Sequence, residues 1–272
     1  MVRNKPLKFN KPMIMGILNV TPDSFSDGGL YNSIDKAFIQ AQKMIKDGAD
    51  IIDIGGESTR PNAQEISEAE ELDRVIPIIE KLAKENDIKI SIDTSKANVM
   101  KSAVKAGANM INDVYALQKK NALKTVAELG INVCLMHMQG SPKNMQNNPF
   151  YNDVIKDVMD FLKRRVADCI AHGIDKNKII IDPGFGFGKT YQHNLELLRN
   201  LAKFKELNLP ILVGLSRKSM FKDMLGIIKP QKRITSSVVA AMLALKKGAN
   251  IVRVHDVKQT KEALIVLENI YG

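Results

Sequence analysis

Five times the chain closes a helix-like segment on glycine and passes within a residue or two into a strand-like run. The phrase reads Asp47-Gly48-Ala49-Asp50-Ile51, Ala106-Gly107-Ala108-Asn109-Met110, Leu129-Gly130-Ile131-Asn132-Val133, His172-Gly173-Ile174 and Lys247-Gly248-Ala249-Asn250-Ile251. Glycine just after a helix, with a strand directly behind it, is the short connection of an alternating α/β chain. The irregular spacing makes the repeat architectural rather than a solenoid. Eight strands are expected, near Ile14–Asn19, Ile51–Gly55, Ile90–Asp93, Met110–Val114, Val133–Met138, Ile179–Asp182, Ile211–Gly214 and Ile251–His255. Eight strand-helix units of about 34 residues each suit a single (β/α)8 TIM barrel, with its active site at the C-terminal ends of the strands. A doubly wound open sheet is the alternative. No linker interrupts residues 1–272, so one domain is expected.

The intervening segments carry helical apolar faces. One is Leu72, Val75, Ile76, Ile79 and Leu82, with Pro77 expected to bend or shorten the helix. Another is Val154, Val158, Phe161, Leu162, Val166, Cys169 and Ile170. Val238, Val239, Met242 and Leu245 form a third, and Leu264, Leu267 and Ile270 a fourth.

The richest strand end is Ile179 to Thr190, Ile-Ile-Ile-Asp-Pro-Gly-Phe-Gly-Phe-Gly-Lys-Thr. Three isoleucines suit a strand buried on both faces, and Pro183 forbids further pairing at its own position. Gly184, Gly186 and Gly188 allow a sharp turn and close approach of a ligand. A phosphate-binding P-loop would need glycine at 183, and a dinucleotide fingerprint would need glycine at 189, so this is neither.

The other strands end in polar residues that a barrel would bring to one mouth. They are Asn19 and the loop after it, Asp53 to Pro61, Asp93-Thr94-Ser95-Lys96, Asn112-Asp113, His137-Met138-Gln139-Gly140, Ser216-Arg217-Lys218-Ser219 and Arg253-Val254-His255-Asp256. Asp93 reads either as a ligand or as a helix N-cap, and Asn112 and Asp113 either as ligands or as turn formers. His137, in an apolar strand, reads as a core histidine before a ligand. The thirteen methionines read as core filler. Arg253 and His255 are two apart in a strand, so they share a side. An inward arginine is costly to bury without an anion, and an anion site is expected there. Asp93, Asn112 and Asp182 offer acceptors and an amide from different strands. A heterocycle with a 2-amino-4-oxo edge presents the donor pair such a carboxylate accepts, with Lys218 available to its oxygen or ring nitrogen. Spacing alone reaches a flat polar ring plus an anion.

Composition excludes several classes. With 44% apolar residues the chain can bury a full core, and no stretch is apolar over the length of a membrane span. Cys134 and Cys169 are too few for a disulfide framework or zinc site, and a reducing cytoplasm is the plain reading. The net charge of +10 reads first as a lysine-rich surface and second as steering of an anionic ligand. Aromatics at 5%, without a basic block among them, speak against nucleic acid.

Taken in order, the segments from Met15 to Val257 closely resemble the dihydropteroate synthase family of pterin-binding enzymes. The resemblance is carried by Gly16 to Gly29, Asp53 to Pro61, Ser91-Ile92-Asp93-Thr94 and Ile111-Asn112-Asp113. Met136-His137-Met138-Gln139-Gly140, the Asp182–Lys189 loop, Ser216 to Ser219 and Arg253 to Asp256 complete it. It implies a barrel enzyme that joins (7,8-dihydropterin-6-yl)methyl diphosphate to 4-aminobenzoate, giving 7,8-dihydropteroate and pyrophosphate for folate biosynthesis. It further implies that Asp93, Asn112, Asp182 and Lys218 hold the pterin, with Met136 lining its pocket. Arg253, His255 and Asn19 would hold the diphosphate, and Asn19 would also ligate Mg2+. Thr59, Arg60, Pro61, Phe187 and Ser219 would shape the aminobenzoate site, with Asp23 or Asp27 pairing with Arg60. Arg253, His255, Lys218 and Asp182 are the expected catalytic group. A homodimer is implied, with small molecules as the only other partners and neither nucleic acid nor membrane. Asn62 and Ser236 depart from the family's usual glycines. A pterin-binding corrinoid methyltransferase module or an inactive paralogue is the rival reading.

Overall fold

A computed structural model describes residues 7–21, 30–58 and 64–271. Among them run β1 (Met13–Asn19), α1 (Leu30–Lys46), β2 (Ile51–Gly55), α2 (Glu68–Glu85), β3 (Lys89–Asp93), α3 (Ala97–Ala106), β4 (Met110–Asp113), α4 (Ala122–Leu129) and β5 (Asn132–Met136). Then follow α5 (Val154–Ala171), β6 (Ile179–Asp182), α6 (Tyr191–Arg199), β7 (Leu212–Val213), α7 (Met220–Leu225), α8 (Ile234–Lys246), β8 (Ile251–Val254) and α9 (Val257–Tyr271). The sheet order is β6-β5-β4-β3-β2-β1-β8-β7, every pair parallel. A bridge between Ile181 and Ile211 joins the two ends, reinforced by the Ile181 N–H donating to Pro210 O at 3.0 Å. The sheet is a nearly closed barrel with helices between its strands, as expected from the repeated phrase.

Strand alternation sorts side chains into two cores. The isoleucines, leucines and valines facing outward pack under the helices in one large buried cluster. The inward set Met15, Ile51, Met110, Cys134, Ile180, Leu212 and Ile251 forms a second, closed beneath by Leu7, whose N–H donates to Asn132 Oδ1 at 3.2 Å. The floor of the barrel is therefore filled with apolar side chains. The next inward residues along the strands are polar: Asp53, Asp93, Asn112, Asp182 and Arg253.

Two helical expectations are corrected. Pro77 does not shorten α2, which runs 18 residues through it. Ser67 caps its start, accepting from Glu70 N, and Val75, Ile78, Ile79 and Leu82 are buried on one face either side of the proline. An interior proline costs about 3 kcal/mol, whereas each buried aliphatic side chain contributes about 1.5–3 kcal/mol, so packing wins. In α8 the buried face is Ser237, Ala240, Ala241, Ala244 and Leu245, while Val239 is 53% exposed. Small side chains let that helix lie close to the barrel and turn its valines sideways. Ser236 sits in its first turn and donates to Arg233 O at 3.1 Å.

Candidate active site

The parallel register sets Asn19, Gly55, Asp93 and Asn112 side by side across four strands. Met136 is set directly against Asp182 on β5 and β6. Gly55 leaves the middle of that row open: a Cβ there would lie 3.6 Å from Asp93 Cβ and 3.9 Å from Asn19 Oδ1. Of the residues that spacing assigned to a flat ring, Asp93 and Asn112 thus stand side by side and Asp182 lies at the end of β6, beside the Met136 that the resemblance added, all four buried.

Arg253 reaches in from β8 below this row. Its Nε donates to Asp53 Oδ2 at 2.6 Å and its Nη2 to Asp93 Oδ2 at 2.7 Å. The anion expected beside this arginine is therefore supplied first by the protein. Asp53, fully buried, also accepts from Asn112 Nδ2 at 3.2 Å, and its Oδ1 has no hydrogen-bond partner among the described residues. Asp53 had been given no role from spacing. Its signal was a charged residue between Ile52 and Ile54 in the inward row of a strand buried throughout.

Burial pushes the Asp93 carboxyl up to about 7 against the lowering pull of Arg253, with Asp53 adding to the rise. It pushes Asp182 up to about 6, although Asp182 Oδ1 accepts from Gly184 N at 2.7 Å and Lys218 draws it down. Lys218 moves the other way, to about 8, because burial outweighs the attraction of Asp182. The ammonium of Lys218 sits 4.3 Å from the centroid of the half-buried Phe187 ring. Carboxyls held high and a lysine held low, facing one another, mark a site poised for a polar ligand.

The loop after β7 is fixed from several sides. Arg217, at φ +58°, donates through Nε and Nη2 to Asp256 at 3.0 and 2.5 Å, tying the loop after β7 to the end of β8. Ser216 Oγ accepts from His255 N at 3.1 Å and lies 2.9 Å from His255 Nδ1. With the hydroxyl donating to Nδ1, His255 carries its ring proton on Nε2. Beneath the loop the buried Arg233 donates to the carbonyls of Ile227, Arg217, Lys218 and Ile228 at 2.6–3.1 Å. Arg233 was not singled out from sequence, because an arginine at a helix start carries no spacing signal, and Ser216 was named only as part of a polar strand end. Ser219 directly precedes α7 and is exposed.

Other candidates resolve toward structure. Asp113 is a turn former, accepting from Tyr115 N and Leu117 N at 2.9 and 2.8 Å. His137 is a core histidine, packed edge-on against Phe161 with centroids 4.9 Å apart. Lys96, just before α3, bridges Glu57 and Glu71 at 2.5 Å each and so ties the strand-two loop to α2. It borders a cavity of about 510 Å³ that opens from Asp93 toward Tyr115 and Lys143. Thr59, Arg60, Pro61, Asn62, Asp23 and Asp27 lie outside the described residues.

This mouth, with a carboxylate-amide row over an arginine at the C-terminal ends of barrel strands, defines a binding enzyme of the parallel-barrel class. Residues 15–255 match the family model described as pterin binding enzyme. A dihydropteroate synthase of Haemophilus influenzae is 53% identical over 97% of this chain and 95% of its own. A Yersinia pestis dihydropteroate synthase, solved with a sulfonamide drug complex, superposes with a TM-score of 0.94 at 51% identity, covering 99% of this chain and 98% of that one. The Xanthomonas albilineans dihydropteroate synthase, solved with 4-aminobenzoic acid, gives 0.92 at 46% identity over 97% and 94% of the two chains. The chain belongs to the dihydropteroate synthase family of pterin-binding enzymes. It is a transferase of the dihydropterin-methyl group.

Proposed function

We infer that the chain joins (7,8-dihydropterin-6-yl)methyl diphosphate to 4-aminobenzoate, releasing pyrophosphate and forming 7,8-dihydropteroate. The observation that carries the reading is the Asp93–Asn112 pair beside Asp182 and Lys218. Asp182 accepts the donor pair of the 2-amino-4-oxo edge, and Lys218 donates to the ring oxygen or nitrogen. Asp93 and Asn112 take the opposite edge, and Met136 lines the ring's flank. Arg253 and His255 take up the charge that develops on the departing diphosphate; a closed, water-poor mouth strengthens both contacts. The aminobenzoate nitrogen is a weak nucleophile. Catalysis rests on departure of the leaving group and on the carboxylates that stabilise a cationic pterin methylene, and a strong general base is not needed.

Asn19 Oδ1 lies on the same row, and no group of three His, Cys, Asp or Glu that could hold a metal occurs among the described residues. One amide oxygen fits a Mg2+ that arrives with a diphosphate and takes most of its ligands from it and from water. Bound there, Mg2+ would offset charge on the diphosphate oxygens. Phe187, Ser219 and the segment Thr59-Arg60-Pro61 shape the aminobenzoate subsite, which is also where a sulfonamide would compete.

A homodimer is favoured by the apolar side chains exposed on the adjacent helices α8 and α9, Val239, Leu243, Ile265, Val266 and Ile270 among them. No described helix is long and apolar enough to cross a membrane, and a cytoplasmic location suits the two buried, unpaired cysteines.

The test is pyrophosphate release with both substrates, with and without Mg2+. Release that requires both substrates supports the reading, and pterin binding without release would point instead to a methyltransferase module or an inactive paralogue. A pH dependence follows as well. Both carboxyls titrate above the ordinary 3.8, so their ionisation costs fold stability as pH rises from near 4 through 6 and 7. Ligand donors favour the ionised forms. For the pterin substrate, kcat/KM is therefore expected to fall below about pH 7, close to tenfold per unit at first and more steeply below about pH 6 where both carboxyls protonate, while thermal stability without ligand rises. A flat profile between pH 5 and 8 would contradict it.

A further inference from the structure

We propose that Lys189 is a positioning residue: its buried ammonium locks the loop between β6 and α6 in the shape that presents Phe187 to the aminobenzoate subsite. The inference rests on the assignment of Phe187 above. Lys189 is 3% exposed and ends the Asp-Pro-Gly-Phe-Gly-Phe-Gly run. Its Nζ lies 2.9 Å from His137 Nδ1, 2.8 Å from Gly184 O and 3.0 Å from Phe187 O, so three ammonium hydrogens meet three acceptors. His137 must then be neutral with its proton on Nε2, consistent with burial and the adjacent lysine holding its ring well below the usual histidine range. Burial likewise pulls Lys189 down, to about 7.

Two further loop carbonyls are tied by side chains that precede α5. Tyr151 Oη donates to Gly188 O at 2.8 Å and Gln146 Nε2 to Gly186 O at 2.6 Å, while Gly186 N donates to Asn194 Oδ1 at 2.7 Å. Gly184, at φ +72°, sits so tightly that a Cβ would lie 1.8 Å from His137 O. With every carbonyl from Gly186 to Gly188 held, the Phe187 side chain has a fixed root. Its ring is left to face Lys218, whose Cδ a Cβ on Gly186 would meet at 3.0 Å. A lysine buried only for packing would be a poor choice, since an aliphatic side chain avoids the desolvation of a charge. Two carbonyls of a glycine-rich turn and the imidazole of His137 beside it call for a donor, and the ammonium supplies all three bonds from one atom.

The test is steady-state kinetics of the full chain carrying Lys189→Met, Tyr151→Phe or Phe187→Ala. Lys189→Met is expected to raise KM for 4-aminobenzoate about tenfold or more, and Tyr151→Phe about two- to fivefold. KM for the dihydropterin diphosphate should stay within about twofold, because Asp182 keeps its Gly184 N–H and Asp93 is untouched. A parallel rise in both KM values, or no rise for 4-aminobenzoate, would overturn the proposal. Tyr151→Phe, which removes one oxygen at the loop's edge, carries the test alone where Lys189→Met does not fold. An effect of Phe187→Ala without an effect of either lock variant sinks the lock while sparing the subsite. An unchanged 4-aminobenzoate KM in Phe187→Ala removes the subsite assignment and the lock with it.

Discussion

Arg253→Ala should lower kcat/KM for the dihydropterin diphosphate by about a thousandfold or more, and the loss should have two separable parts. One is the missing cation at the departing diphosphate. The other is what the substitution leaves behind. Asp53 and Asp93 are buried, and Arg253 is the cation that bonds both. Removing one partner of a buried pair costs about 3–5 kcal/mol, because the remaining charge is uncompensated. Two neighbouring carboxylates without their arginine cannot both stay ionised, so one takes up a proton near neutral pH. Asp93 then becomes a poorer acceptor for the pterin. Stability should fall at pH 7 and recover toward acid pH as the carboxyls protonate. The measurements are kinetics with each substrate varied and thermal unfolding of the variant between pH 5 and 8. A variant of unchanged stability with lost activity would mean that the arginine serves the diphosphate alone. A variant of near-normal activity would refute the role of Arg253 altogether.

Arg233→Met should destabilise the fold by about 2–4 kcal/mol, although no role at the substrate is given to Arg233. The residue is 5% exposed, and its guanidinium donates to four backbone carbonyls, two of them in the loop that carries Lys218. Methionine fills much of the same volume and donates nothing, so four part-buried carbonyls lose this donor at once, and Lys218 O keeps only the Phe221 N–H at 3.2 Å. Arg217 depends on the same support. Its φ of +58° is costly for a residue with a side chain, and it is held by the Asp256 pair and by Ser237 Oγ accepting from Arg217 N at 2.8 Å. Ser237 Oγ in turn donates to Arg233 O at 2.5 Å. Denaturant unfolding would report the loss, and KM for the pterin substrate should rise in whatever fraction still folds. A change below about 1 kcal/mol would show that water replaces the guanidinium there.

Each site residue is legible in the sequence only as far as its local pattern carries information. Asp93, Asn112 and Asp182 announce themselves because each interrupts an apolar run at a strand end, and in a barrel every strand end points at one mouth. Arg253 and His255 do so through period-two spacing. The anion beside Arg253 was legible as a need and not as a residue: an acceptor had to exist, but it could come from the ligand or from the protein. The helix faces fared unevenly. Val75, Ile79 and Leu82 are buried as their spacing indicates, whereas α8 buries its alanines, because close approach to the barrel favours small side chains over large ones.

Chain pattern thus accounts for the alternating architecture, the eight strand positions to within a residue or two, and the polar residues at their C-terminal ends. These are local properties: glycine closes a helix within one turn, and burial alternates along a strand. Tertiary structure decided the pairings. Asp53 and Arg253 are 200 residues apart and meet because β2 and β8 both flank β1 in the closed sheet. Lys189 meets His137 from 52 residues away and Arg217 meets Asp256 from 39. Such contacts depend on closure and on which of several nearby acceptors a buried cation reaches at hydrogen-bond distance. That choice is made by three-dimensional packing and the cost of an unpaired buried charge, and no one-dimensional spacing carries it.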